Sequence, residues 1–179
     1  VSEALMTFYE IRAKGGAGLI ITEFTMINQE NGRHNPWQLG AYSDDHIPGL
    51  RAMAKRVHKH GTKMFVQLCH PGSQTFCEAS GIPLLTPSGR ESQTFRQPCR
   101  AMTVEEIHQT VEEFAEAALR VKQAGMDGVE INAAHGYLLN EFLSPYTNKR
   151  EDEYGHDMIG RCRIVKEIIE AVREKVGPD

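Results

Sequence analysis

The chain has 179 residues, 40% hydrophobic and 25% charged, ordinary proportions for a folded globular domain and too polar for a chain that lives in a bilayer. Lys and Arg total 20 against 24 Asp and Glu, a net charge of -4, and the basic residues are scattered rather than gathered in a stripe, so nucleic acid is not an expected partner. No run approaches the ~20 apolar residues that span a membrane. The opening Val1-Ser2-Glu3-Ala4 lacks a signal-peptide pattern, and Cys69, Cys77, Cys99 and Cys162 form no C-x-x-C pair. A cytoplasmic protein with reduced thiols and no bound metal is the expectation.

The chain opens without methionine inside a helical pattern (Ala4, Leu5, Phe8, Ile11), which Lys14-Gly15-Gly16 closes. Gly18 to Thr22 is a short apolar run bounded by glycine and reads as a buried strand. Residues 29–43 are polar and rich in Gly, Asn and Pro, hence a loop; Ser43-Asp44-Asp45 then caps a helix from about Ile47 to His60, which Gly61 ends. Met64 to Leu68 predicts the second strand. The long stretch from His70 to Ala101 predicts a loop that is functional or absorbs a small hairpin.

Thr103-Val104-Glu105-Glu106 has the form of a capping box and opens a helix to about Ala124, with Ile107, Val111, Phe114, Ala118 and Val121 on one face. Gly128 to Asn132 predicts a third strand, residues 135–155 a second long loop, and Ile159 to Lys175 a last helix, for which Asp157 is a candidate cap. The chain then stops at Val176-Gly177-Pro178-Asp179, so both ends look cut. Helices and short apolar strands alternate, long loops follow the strands and short turns follow the helices. Such an order predicts an α/β fold, a partial (β/α)8 TIM barrel holding roughly strands two to four with flanking helices. An open doubly wound sheet would show a glycine-rich phosphate loop, which Thr22 to Met26 does not have.

In the third strand Val129 and Ile131 point one way, toward the outer helices, and Glu130 and Asn132 the other. Asn132 then sits inside the barrel at the strand's C-terminal end, with His135, Tyr137 and Asn140 just beyond it. Tyrosine can give up a proton that a reaction needs, and Asn and His donate hydrogen bonds. The same residues also suit a polar loop in which His135 and Tyr137 cap backbone groups, and spacing leaves both open. Gln67 interrupts the apolar second strand on the face of Phe65 and Cys69; its amide suits the edge of a planar heterocycle or, more commonly, a side chain on the next strand. His58 and His60 lie two apart on a helix and face different directions, which argues against a shared metal. The charges of Lys149 to Glu153 read as a solvated loop.

Gly-Val-Glu-Ile-Asn-Ala-Ala-His-Gly-Tyr-Leu-Leu-Asn-Glu-Phe-Leu-Ser-Pro (128–145), Asn148-Lys149-Arg150-Glu151-Asp152-Glu153-Tyr154-Gly155 and Val66-Gln67-Leu68-Cys69-His70-Pro71-Gly72 together resemble the old yellow enzyme (NADH:flavin oxidoreductase) family. The resemblance covers nearly the whole chain but only the N-terminal half of the family's FMN-binding barrel domain, so residues 1–179 are expected to be one fragment of it. It implies an oxidoreductase of ene-reductase type that uses NAD(P)H to reduce an activated C=C bond of an α,β-unsaturated carbonyl or enoate. By the same resemblance Gln67 hydrogen-bonds the FMN ring, Tyr137 is the proton donor, and His135 with Asn132 binds the substrate carbonyl oxygen. Asn132 stands where many members have histidine, Ser73 where arginine is usual, His156 for glycine and Asp157 for serine.

Pro71, Gln74 and the long loop resemble the branch of 2-enoate and 2,4-dienoyl-CoA reductases, which often carries a 4Fe-4S cluster and FAD outside the stretch present here. Oxidation of amines in the manner of trimethylamine dehydrogenase is the alternative within the family. A non-catalytic truncated half-barrel, held together as a homo-oligomer or by a partner, is the alternative outside it.

Overall fold

The computed structural model describes residues 1–31, 37–76 and 83–178. Cys77 lies outside them, and Cys69, Cys99 and Cys162 are free thiols. Helix α1 (Glu3–Lys14) leads to strand β1 (Leu19–Met26), a 3-10 turn (Asp44–His46) and α2 (Ile47–His58) to β2 (Lys63–Cys69), and α3 (Val104–Gln123) to β5 (Gly128–Ile131). A short helix α4 (Leu138–Leu143) and the long α5 (Met158–Val176) complete the chain. Strands β1, β2 and β5 form one parallel sheet in that order, as expected of consecutive strands of a partial (β/α)8 barrel.

Local signals account for most boundaries. Thr103 accepts from Glu106 N while the Glu106 carboxylate accepts from Thr103 N, closing the capping box of α3. Asp157 caps α5 by accepting from Gly160 N. The apolar stripe of α3 buries Ile107, Phe114, Ala118 and Val121, and α3 packs along α5 through Ile164, Ile168 and Val172. Met64, Val66 and Leu68 of β2 are fully buried on the same side. At about 1.5–3 kcal/mol for each large apolar side chain removed from water, this seam between sheet and helices dominates the stability of the chain.

The two long loops differ from expectation. The first contains strands β3 (Leu84–Thr86) and β4 (Cys99–Ala101), and these pair parallel, so the insertion is no hairpin. A parallel pair needs a crossover, which residues 87–98 supply. The second loop contains α4, whose Leu138, Leu139 and Phe142 are buried; six residues are too few to show a helical period in the sequence. Nor are Lys149 to Glu153 uniformly solvated: the Arg150 side chain is 9% exposed and donates to Pro87 O at 2.8 Å and Met102 O at 2.6 Å while pairing with Asp152. Arg150 thereby fastens the β3–β4 insertion to the rest of the fold. His58 pairs with Asp127 and His60 with Glu10, so the two do not converge.

Candidate active site

The inner face of the sheet is built in rows set by strand register. Phe65 lies opposite Ile21 and Gly128; Gln67 lies opposite Phe24 and Glu130. The first row requires a glycine, because a Cβ at Gly128 would sit 2.7 Å from the Phe65 ring. Between Ile21 and Phe24 the β1 register slips, and Thr22 Oγ1 accepts from Gln67 N at 3.2 Å in place of a ladder bond. The slip carries Phe24 to the inner face beside Gln67.

Gln67, Glu130 and Asn132 form one hydrogen-bonded line across this face. Gln67 Nε2 donates to Glu130 Oε1 at 2.5 Å, and Gln67 Oε1 accepts from Asn132 Nδ2 at 3.0 Å. Asn132 is buried, its Oδ1 accepting from Ala134 N at 3.0 Å. The half-buried Gln67 thus bonds side chains on and just past β5, the commoner fate of a lone glutamine in a strand. Val129 and Ile131 face the helices, as their alternation predicts. Two amides and a carboxyl in a row match the mixed donors and acceptors of a planar heterocycle's edge, and with no cation among them they do not match a phosphate.

Tyr137 follows at the C-terminal end of the same sheet, at the N-cap of α4, where it makes no side-chain cap bond. Its half-buried ring lies 5.3 Å from Phe24 and 6.1 Å from His135, centroid to centroid. Burial, with a smaller push from the Cys69 thiol, raises the Tyr137 phenol above its ordinary pKa, so the side chain holds its proton across the neutral range. His135 is exposed with φ 60, followed by Gly136 with φ 74. A left-handed histidine costs about 1 kcal/mol, and it turns the chain sharply between β5 and α4. The sheet therefore brings Gln67, Asn132, His135 and Tyr137 to one end.

Three neighbours complete the site; Glu130 faces it as alternation predicts, whereas Phe24 and Glu141 carry no sequence signal. Phe24 reaches Tyr137 through the β1 slip, and Glu130 reaches Gln67 through strand register. Glu141, buried on α4, accepts from Ser73 N at 3.0 Å and from Ser73 Oγ. Behind it lies a cavity of about 430 Å³ lined by Ser73, Gln74, Arg90, Ser92, Asn140 and Tyr146 among others. His70, in the loop after β2, is buried and pushed down to about 4, hence neutral, with Nδ1 accepting from Gly72 N at 3.1 Å.

A parallel sheet with helices on one face and a polar, hydrogen-bonding row at the C-terminal strand ends is the arrangement of a partial (β/α)8 barrel, a fold whose active sites lie at those strand ends. The model of the NADH:flavin oxidoreductase / NADH oxidase family matches residues 1–179, and the chain belongs to that family. It is 46% identical over 168 residues to the NADPH dehydrogenase of Halalkalibacterium halodurans, covering 94% of this chain and 48% of that protein. It is 37% identical to the N,N-dimethylglycine/sarcosine dehydrogenase of Chromohalobacter salexigens, covering 99% of this chain and 26% of that one. Among solved structures, the old yellow enzyme of a Pichia species superposes with a TM-score of 0.90 at 31% identity, covering 99% of this chain and 49% of that one. The chain spans about half the length, or less, of the relatives it matches.

Proposed function

We propose that residues 1–179 are the N-terminal half of the FMN-binding barrel domain of an ene-reductase, which uses NAD(P)H to reduce the activated C=C bond of an α,β-unsaturated carbonyl or enoate. The observation that carries this is the convergence of Gln67, Asn132 and Tyr137 at one end of one sheet. Gln67, at the centre of the polar row, is the residue of this chain that would hold the edge of the flavin ring. Bound FMN supplies hydride transfer to the alkene. Asn132 Nδ2 has two hydrogens and gives one to Gln67; the second, with the His135 ring, would donate to the substrate carbonyl oxygen and stabilise charge developing there. Tyr137 keeps a proton on Oη, and that proton goes to the α-carbon. The Phe24 ring, 5.3 Å away, packs beside the Tyr137 ring.

The substrates are small molecules, and use of NAD(P)H suits the cytoplasm. Among the described residues no helix is long and apolar enough to cross a membrane. In the full-length enzyme, Tyr137→Phe is expected to slow alkene reduction by roughly 10²-fold or more while leaving flavin reduction by NAD(P)H intact, since only the former needs a proton donor. Equal loss of both half-reactions overturns the assignment of Tyr137. A second reading, oxidation of N-methylated amines, draws on the relative named an N,N-dimethylglycine/sarcosine dehydrogenase. Assaying dimethylglycine and sarcosine beside cyclohexenone decides between them.

A further inference from the structure

Glu141 is 3% exposed, and its two carboxyl oxygens are treated unequally. Oε1 takes both donors of Ser73, its N–H and its hydroxyl, whereas Oε2 has no hydrogen-bond partner among the described residues. Oε2 is pressed toward the Cα of Gly72, a residue at φ 59 where any Cβ would overlap it. A buried carboxylate with one oxygen wholly unpaired is costly; a carboxylic acid leaves only one O–H unpaired and keeps the Ser73 bonds.

The connections of this group run to Tyr137. Glu141 stands one helical turn after Tyr137, and its N–H donates to Tyr137 O at 2.8 Å. Leu138 N donates to His70 O at 3.1 Å, a second tie between the same two segments. Turning α4 about its axis would break the Ser73 bonds and move Tyr137 together.

We propose that Glu141 is a positioning residue for Tyr137: as a neutral acid it clamps Ser73, so that the loop after β2 and the helix beginning at Tyr137 move as one unit. The functional importance of that position rests on the role proposed for Tyr137 above; the clamp itself does not. Burial pushes the Glu141 carboxyl up to about 7, against 4.5 for a free glutamate. The clamped state thus binds a proton that the opened, hydrated state releases, and the adjoining cavity gives an ionised carboxylate somewhere to go. Linkage then makes opening rise with pH between about 4.5 and about 7 and level off above, where both states are ionised. Titratable groups near it among the described residues include Arg90, Glu91 and Tyr146 at the cavity and His70 in the loop after β2, neutral above about 4; His135 lies on the segment before α4.

Hydrogen–deuterium exchange of a peptide covering residues 138–144 in the full-length enzyme, corrected for intrinsic rates, tests the clamp. Protection is expected to fall by up to about tenfold per pH unit from pH 5 to 7 and then plateau, with residues 104–123 of α3 unaffected. Glu141→Gln, a neutral isostere, should stay protected and flat with pH, and Glu141→Ala should be exposed and flat. Glu91→Gln and His135→Gln should leave the step in place. A flat wild-type profile, a step that survives Glu141→Gln, or a glutamine variant as exposed as the alanine one overturns the proposal. Should the Glu141→Ala variant fail to fold, wild type against Glu141→Gln still decides. Because exchange does not require Tyr137 to be the proton donor, failure here and failure of the Tyr137→Phe assay are separate results.

Discussion

At the scale of single residues, the site depends on groups whose neighbours differ from those the chain order suggests. Gln67 is answered from the next strand by Glu130 and Asn132. Gly128 shows the opposite dependence, on what must be absent. The Phe65 ring covers it, and a methyl there would lie 2.7 Å from ring carbon. Gly128→Ala is therefore expected to destabilise the protein by about 1–3 kcal/mol, read from urea unfolding, by tilting Phe65 toward the Gln67 row. An unchanged midpoint would show that the ring moves aside freely. Asn132, Gln67, His135 and Tyr137 were all legible as polar residues at strand ends; Phe24 and Glu141 were not, because one needs the register slip and the other a short helix.

At the scale of elements, boundaries marked by caps were readable and those made by tertiary contact were not. Thr103 and Glu106 satisfy two backbone N–H groups that α3 would otherwise leave open. Thr103→Ala is expected to cost about 1 kcal/mol in thermal or chemical unfolding without touching the site. No loss would mean that packing against α5 alone holds the first turn. By contrast the β3–β4 insertion has weak local signals, and Arg150 ties it down through two carbonyls, Pro87 O and Met102 O. A string of charges hid that role: whether an arginine is solvated or buried depends on which carbonyls face it.

At the scale of the whole molecule, three parallel strands leave most of both outer edges of the sheet unpaired among the described residues, the β1 edge being bridged at Met26 by Gly40, and a closed barrel of this type needs eight. Leu19 and Ile21 on the inner face are 47% and 38% exposed, as are larger parts of Ile159 and Met158 on α5. The row at Gln67 addresses only one edge of a flavin, and phosphate sites in such barrels lie near the seventh and eighth strands. Residues 1–179 by themselves are accordingly expected to bind FMN poorly or not at all in a fluorescence titration. Submicromolar binding would show that the half-barrel holds the cofactor without the remaining strands.

The linear sequence determined the alternation of helices and strands, the caps of α3 and α5, the inward and outward faces of β2 and β5, and the identity of the polar residues at the strand ends. These follow from short-range physics: side-chain period, cap hydrogen bonds and glycine stops act within a few residues. Only the tertiary structure decided that Gln67 is bonded across the sheet, that Phe24 backs Tyr137, that the insertion is a parallel pair, and that the buried Glu141 of α4 bonds Ser73 in the loop after β2. Each of those depends on register and burial between segments that are tens of residues apart, where one residue's slip changes the partner and a charge's fate depends on what surrounds it.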